Sequence, residues 1–325
     1  MFNRRRLLQG SIALSLGMSS AAMAAAATPT LRRIRMGTVL APDLAESRNF
    51  YSKWLGYEVA EEGWISAALA NSWGAPAMAG RPSLLMRSPG SADVFVRFVQ
   101  GDPVPAYRGL TSFGWSAIEI VVDDVHALHA KLKQSSCTIL DEPRPLDGYP
   151  SIVAMQILGP SQEALYLTMQ SGDRSKSSLP EPGAFVGRPF IAVLAGPDMD
   201  NMLDWYGKTF AMARRRVMQT PIAILQHALG LPAEHLFPMG TMALAEHGNI
   251  LEFDGFPADT PPRPVVEGQL PPGTSMFSFE VGTLDGLEPA LIAAPVSPGG
   301  LGYGRGRSAT LRGPAGELIE LIEAG

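Results

Sequence analysis

Two stretches of this sequence follow one pattern but carry different chemistry at one position. GPSQEALYLT spans residues 159–168, GPAGELIELI spans residues 313–322, and Tyr166 in the first stands where Glu320 stands in the second. A phenol donates a hydrogen bond at neutral pH, whereas a carboxylate accepts hydrogen bonds, binds cations or transfers protons. The pattern therefore predicts two related sites with different chemistry.

The repetition extends over most of the chain. Segments 41–59 and 196–214 share a Pro-Asp pair and, at the same distance downstream, an aromatic residue followed by tyrosine. Internal repeats of this kind indicate duplicated structural units. We predict two halves, residues 31–172 and 188–325, joined by a polar, proline-containing linker over residues 173–187.

The composition indicates a folded protein that does not bind nucleic acid. The 325 residues are 46% hydrophobic and 18% charged, which suits two ordinary domains with sizeable cores. The net charge of −5 argues against nucleic acid as a partner, because a basic face is needed to displace counterions from phosphates. The single cysteine, Cys137, excludes an internal disulfide.

The first residues have the features of an export signal. Three arginines at 4–6 precede a short apolar run at about 12–18, and an Ala-x-Ala site follows at 22–24. Adjacent arginines resemble the twin-arginine signal of bacteria. We predict a signal peptide over residues 1–24, export by the twin-arginine machinery, a periplasmic location and no stable membrane anchor.

Each half divides again into two units. A unit begins with a strand-like run, continues into an amphipathic helix preceded by aspartate, and ends in further strands. The aspartate carboxylate can cap the first backbone N–H groups of the helix. The sequence thus predicts an α+β fold of four βαβββ units.

The repeated motifs resemble those of the vicinal oxygen chelate superfamily, which includes glyoxalase I, extradiol dioxygenases, methylmalonyl-CoA epimerase and bleomycin resistance proteins. The resemblance rests on the Pro-Asp and aromatic-Tyr pattern, on GWSAIEIVVDDVHALHAKL at 114–132, and on the two strands that follow Gly-Pro. It implies that each tandem half forms a cup of curved mixed sheet. A small-molecule substrate or ligand would bind on the concave face.

The resemblance also indicates which positions face each cup. The position that holds histidine in the superfamily, seven residues before the helix aspartate, is occupied here by Met36, Ala117, Ile191 and Ser278. The position that holds glutamate on the last strands is occupied by Arg97, Tyr166, Glu252 and Glu320. Metal sites of this kind combine imidazole with carboxylate, so the usual triad is absent. We expect no cofactor, although a divalent cation is possible.

The period-two alternation of strands adds Glu119 and Glu280 to the concave faces. The N-terminal cup is expected to hold Met36, Thr38, Arg97, Glu119 and Tyr166. An Arg97–Glu119 pair beside the Tyr166 phenol would bind a carboxylate, phenol or ketone, with Arg97 as the fork for an anion. The alternative is a buried ion pair that replaces a lost metal.

The C-terminal cup is expected to hold Glu252, Ser278, Glu280 and Glu320. Three carboxylates facing one cavity cannot all stay ionised, so they would share a proton or bind a divalent cation through these glutamates. Two alternatives remain open: Leu251 could face inward in place of Glu252, and Arg305 or Arg307 could neutralise the acids.

These positions favour an exported enzyme that acts on a small, partly apolar and possibly aromatic molecule by acid/base proton transfer, as a lyase or isomerase. The predicted catalytic residues are Glu320, Glu280, Glu252, Tyr166, Arg97 and Glu119. Substrate contacts are predicted at Met36, Thr38, Ala117 and Ser278. One alternative is a binding or sequestering protein of the bleomycin-resistance kind. Another is a metal-dependent ring-cleaving dioxygenase with ligands relocated to loops, for which His235 and His247 are the candidates.

Overall fold

The structure is a computed structural model that describes residues 31–146, 148–177, 179–287 and 290–325. The predicted signal peptide lies outside the described residues. Within them, no helix is both long enough and apolar enough to cross a membrane.

The first two units follow the predicted order of elements. Unit 1 comprises β1 (Leu31–Ala41), α1 (Leu44–Phe50), β2 (Glu58–Trp64), α2 (Ala67–Ser72), β3 (Pro82–Arg87) and β4 (Phe95–Gln100). Unit 2 comprises β5 (Gly114–Val122), α3 (Val125–Leu132), β6 (Thr138–Leu146), β7 (Tyr149–Leu158) and β8 (Ala164–Gln170).

Unit 3 repeats unit 1, and unit 4 is reduced. Unit 3 comprises β9 (Val186–Gly196), α4 (Met199–Phe210), β10 (Met218–Thr220), α5 (Ala223–Leu229), β11 (Phe237–Ala243) and β12 (Ile250–Gly255). Unit 4 comprises β13 (Gly273–Val281), β14 (Ser308–Arg312) and β15 (Leu318–Glu323). Among the described residues between β13 and β14 there is no α-helix, whereas the sequence predicts one in this unit.

The helices begin where the sequence places capping aspartates. The carboxylate of Asp43 accepts a hydrogen bond from the third residue after it, and Asp198 does the same for α4. Asp124 accepts from the backbone N–H groups of His126 and Ala127 at the start of α3. These bonds satisfy N–H groups that have no partner inside the helix.

The α+β fold with two tandem halves and two curved mixed sheets is confirmed, but each sheet draws on both halves. Sheet A has the order β14-β15-β13-β1-β4-β3-β2 and joins unit 1 to unit 4. Sheet B has the order β10-β11-β12-β9-β5-β8-β7-β6 and joins unit 2 to unit 3. The first strands make each seam, because β1 pairs with β13 and β5 pairs with β9, both antiparallel. The expectation that units 1 and 2 share a cup is therefore wrong.

The main apolar core lies between the two sheets. The indole ring of Trp115 on β5 packs edge-on against Phe277 on β13, with ring centroids 4.9 Å apart. Its Nε1 donates a hydrogen bond to the carbonyl of Leu318 at 2.7 Å. Side chains on the opposite faces of both sheets point away from this core and line the two concave faces.

The repeated Gly-Pro segments have a structural role. Glu163 accepts hydrogen bonds from the backbone N–H of Ser161 at 2.8 Å and from the Tyr51 hydroxyl at 3.3 Å. The second copy repeats this arrangement, with the Tyr206 hydroxyl donating to Glu317 at 2.9 Å. Each buried glutamate thus ties the first helix of one unit to the turn of the next unit.

Candidate functional site

The concave face of sheet A brings together residues that the sequence assigned to two different cups. Met36 pairs with Ser278 across the β1–β13 seam, and Thr38 pairs with Arg97 between β1 and β4. Glu320 lies beside Ser278 between β13 and β15. The seam between the halves therefore runs through the site itself.

Arg97 is the centre of this arrangement. Its Nη2 donates to Glu320 Oε2 at 2.8 Å, and its Nε donates to Thr38 Oγ1 at 3.0 Å. The guanidinium lies over the ring of Trp73, 4.6 Å from the ring centroid. The predicted Arg97–Glu119 pair is wrong, because Glu119 lies on β5 in the other sheet and the guanidinium binds Glu320.

Glu320 is fully buried, and its carboxylate accepts hydrogen bonds from five side chains. The donors are Trp73 Nε1 at 2.7 Å, Arg97 Nη2 at 2.8 Å, the Tyr303 hydroxyl at 2.8 Å, Ser308 Oγ at 3.3 Å and Ser278 Oγ. Burial alone would raise the pKa of this carboxyl, but the Arg97 charge and the hydrogen bonds outweigh burial and lower its pKa. A carboxylate held in this way is a weak base.

A cavity of about 130 Å³ opens beside this network. Its lining includes the side chains Met36, Ile65, Leu69, Leu85, Arg97 and Tyr303. Trp64 stands at the mouth and is 73% exposed. The cavity thus combines apolar walls with a polar floor made by the guanidinium and a phenol.

Two residues of this site were missed by the sequence analysis. Tyr303 lies in the glycine-rich loop 299–307, which has no periodic pattern to indicate an inward side chain. Trp73 follows α2 and reaches Glu320 from outside the sheet. The period-two argument used for strands does not apply to either position.

Sheet B carries a different set of side chains on its concave face. Glu119 pairs with Tyr166 between β5 and β8, and Ala117 lies two residues from Glu119 on the same face. Glu252 on β12 faces the same side, whereas Leu251 points into the core between the sheets. The predicted inward register of Glu252 is therefore confirmed. Glu119 and Tyr166 share this face with Glu252, so their predicted place beside Arg97 is wrong.

Asp254, which the sequence analysis did not single out, completes an acid cluster on sheet B that we define as Glu119, Glu252 and Asp254. Asp254 is fully buried, Glu119 is 7% exposed, and Glu252 is half-buried. From the described residues this cluster accepts one side-chain hydrogen bond, donated by Thr168 Oγ1 to Glu119 Oε1 at 2.6 Å. Both Asp254 oxygens and the Tyr166 hydroxyl have no partner there.

Burial raises the pKa of all three carboxyls in the acid cluster. The Glu252 charge raises the pKa of Glu119 further, and the charges of Glu252 and Glu119 do the same for Asp254. The cause is that like charges in a poorly solvated site favour the neutral form. Near neutral pH these carboxyls therefore hold protons that ordinary surface acids release.

Glu280 lies outside both concave centres, so its predicted place with Glu252 and Glu320 is wrong. Its carboxylate binds three arginines of β1, Arg32 at 3.2 Å, Arg33 at 2.9 Å and Arg35 at 3.1 Å. The register shifts between β1 and β13 and the arginine-rich start of β1 place Glu280 at the rim of sheet A. The three glutamates proposed as cation ligands therefore do not share one cavity, because Glu320 lies on sheet A, Glu252 on sheet B and Glu280 at the rim of sheet A.

The two arginines considered as neutralising groups do not reach the acids. Arg307 pairs with Glu323 at 2.7 Å, and Arg305 is exposed. The acid cluster of sheet B has no ion pair within the part of the chain that the structure describes.

The residues present do not fit the divalent metal that the resemblance implies. In sheet A the cationic guanidinium of Arg97 already binds Glu320, and neither Met36 nor Ser278 offers an imidazole. In the described ranges no three His, Cys, Asp or Glu side chains are grouped so that they could hold a metal ion. His235 packs against Phe237, with ring centroids 4.7 Å apart.

Comparisons with known proteins agree with this geometry at the level of the fold. A family model described as the Glyoxalase/Bleomycin resistance protein/Dioxygenase superfamily matches residues 33–160. No curated protein sequence matches the chain.

Two solved structures are similar over most of the chain. Glyoxalase I from Zea mays is 15% identical with a TM-score of 0.60, covering 90% of this chain and 92% of its own. A putative dioxygenase from Bacillus subtilis subsp. subtilis str. 168 is 13% identical with a TM-score of 0.62, covering 91% of this chain and 86% of its own. Residues 33–160 thus match the glyoxalase/bleomycin resistance/dioxygenase superfamily by sequence, and the chain shares the fold of these two proteins.

Proposed function

We propose that the protein binds a small, partly apolar organic molecule in the cavity of sheet A and does not convert it there. The observation that carries this proposal is the saturation of Glu320, the buried carboxylate behind the Arg97 guanidinium. The carboxylate that lines the cavity, Glu61, is exposed and accepts a hydrogen bond from the backbone N–H of Leu301. Five donors occupy the oxygens of Glu320, and its pKa is lowered. A general base needs a free lone pair and a pKa near the working pH, and Glu320 has neither.

The size and charge of the cavity indicate the class of ligand. An apolar cavity of about 150 Å³ accommodates benzene, so 130 Å³ suits a single ring or a branched chain. The Arg97 charge is compensated by Glu320 at 2.8 Å. A neutral molecule is therefore favoured over an anion. Arg97 Nη1 bonds to the Tyr303 hydroxyl and carries a second hydrogen, which can be donated to a carbonyl or ether oxygen of the ligand.

Acetophenone is a suitable probe, because it combines a ring with one carbonyl acceptor. We expect it to bind the full chain about tenfold more tightly than ethylbenzene, which lacks the acceptor, since one added hydrogen bond from a charged donor contributes about 1.5 kcal/mol. It should also bind more tightly than benzoate. Leu85→Trp fills the cavity and should abolish binding, whereas Leu146→Trp at an exposed position should not. Isothermal titration calorimetry measures each affinity.

Chromatography after long incubation separates binding from conversion. Recovery of unchanged acetophenone supports binding. Equal affinity of the Leu85→Trp variant and the unaltered chain would show that the ligand binds elsewhere. Tighter binding of benzoate than of acetophenone would show that Arg97 binds an anion.

Proton transfer of the lyase or isomerase type would instead require the acid cluster of sheet B, whose carboxyls hold protons near neutral pH. Product formation that Glu119→Gln abolishes would favour that second function.

Export to the periplasm by the twin-arginine route is also part of the proposal, and its support is the sequence of residues 1–24. Replacing Arg5 and Arg6 by lysine should retain the protein in the cytoplasmic fraction, because the twin-arginine signal depends on that pair. Exchanging the exposed pair Arg215 and Arg216 by lysine is the matched control. Immunoblots of cell fractions give the distribution, and unaltered export of the first variant would contradict this route.

A further inference from the structure

We propose that the acid cluster of sheet B binds an organic cation, a small primary ammonium ion that carries an apolar chain. This inference concerns the second concave face and does not depend on the ligand proposed for sheet A. Its basis is a set of buried polar atoms that have no partner in the described chain and that share one orientation.

The first argument is the surplus of acceptors on this face. Glu119, Glu252 and Asp254 project from three positions on β5 and β12, and no arginine or lysine pairs with them among the described residues. Burying a carboxyl without a hydrogen-bond partner costs free energy. Asp254 is fully buried with both oxygens unpartnered. An ammonium group would supply the missing donors and positive charge together.

The second argument is the hydroxyl of Tyr166, which is independent of the acids. Tyr166 is 7% exposed, its hydroxyl has no partner among the described residues, and it interacts electrostatically with Asp254, Glu252 and Glu119. A phenol oxygen is an acceptor as well as a donor. An ammonium ion has three N–H donors, which suit two carboxylates and this oxygen.

The third argument distinguishes an organic cation from a metal ion. No three acidic, His or Cys side chains in the described ranges are grouped to hold a metal. Calcium requires six to eight oxygens at about 2.3–2.6 Å, whereas N–H···O bonds are longer and fewer. Tyr166 also belongs to an apolar cluster with Ile191, Ile224 and Phe237. These walls suit an alkyl chain, and a bare metal ion would gain nothing from them.

Access to the cluster is provided at Glu252. Its side chain is half-buried, as are Thr241 and Ile250 on the neighbouring positions of β11 and β12. Ala117 and Ala195 present short side chains on the same face. An ammonium group would therefore meet Glu252 first, since Asp254 is fully buried.

The test uses n-butylammonium chloride with the full chain at pH 8, measured by isothermal titration calorimetry. We expect one site that binds n-butylammonium at least about tenfold more tightly than n-butanol, which has the same chain without the charge. Glu252→Gln should weaken this binding about tenfold, and Asp254→Asn at least as much. Glu234→Gln, an exposed exchange of the same type in the same unit, should leave it unchanged.

Three results would overturn the inference. The first is no binding of n-butylammonium to the unaltered chain. The second is equal binding of n-butanol, which would leave an apolar groove without a cation site. The third is stoichiometric binding of calcium or magnesium that displaces n-butylammonium and that Glu252→Gln abolishes. Glu252 is half-buried, so Glu252→Gln is expected to fold. Its affinity for n-butylammonium therefore tests the inference even if Asp254→Asn fails to fold.

Discussion

Replacing Glu320 with alanine is expected to lower the free energy of unfolding by about 4 kcal/mol, because removing one partner of a buried ion pair leaves an uncompensated charge. Arg97 is 4% exposed, and its guanidinium would lose its anionic partner. The indole of Trp73 and the hydroxyl of Ser278 would lose their acceptor as well. Urea denaturation followed by tryptophan fluorescence measures the change.

Two further variants separate the charge from the loss of packing. Glu234→Ala removes an exposed carboxylate and should change stability by less than about 0.5 kcal/mol. Combining Glu320→Leu with Arg97→Met removes both charges, and the pair of changes should cost less than the sum of the single ones. Additive effects, or a cost of Glu320→Ala below 1 kcal/mol, would show that the ion pair does not hold the seam of sheet A.

The second large effect expected is a loss of stability as the pH rises from 5 to 8. Burial raises the pKa of Glu163 and of Glu317 to about 7, and raises the pKa of the acid cluster as well. A carboxyl whose folded pKa is raised stabilises the fold below its unfolded pKa, and this contribution disappears as the pH rises through the folded pKa. For Glu163 alone the shift corresponds to about 3 kcal/mol. Thermal unfolding should show a Tm about 10 °C lower at pH 8 than at pH 5.

The sign of this effect is set by the groups that titrate in that range. Glu320 has a lowered pKa, so its stabilisation is lost only as the pH falls below the ordinary range of glutamate. Glu163→Gln should reduce the difference in Tm between pH 5 and pH 8, and Glu119→Gln combined with Asp254→Asn should reduce it further. Glu234→Gln serves as the neutral comparison. A Tm that is constant or rises over this interval would contradict the assignment.

The sequence predicted much of the local structure, because local structure depends on local patterns. The aspartates before α1, α3 and α4 cap their helices, and the family resemblance placed Arg97 on the concave face that Thr38 shares. Period-two alternation identified Glu119 as an inward residue, and the resemblance identified Glu252.

The sequence did not predict which units share a sheet. All four first strands are similar apolar runs, so each could pair with any other, and the choice is made by contacts between residues more than 200 positions apart, such as Met36 and Ser278. Because units 1 and 4 share sheet A, Glu320 lies beside Arg97, whereas Glu119 and Tyr166 lie in sheet B. Asp254 was missed because a single acid at the end of an apolar strand resembles an ordinary turn residue.

The seam between β1 and β13 also has a consequence for the order of folding. The strand that begins at Leu31 cannot complete its sheet until the strand that ends at Glu323 has been synthesised. Such sequence-distant pairing is slow to form and leaves the first strand with an open edge while the ribosome is still translating. A chain terminated even a few residues before Glu320 would lack the partner of Arg97. The buried charge of unit 1 is therefore compensated only after the last strand has been synthesised.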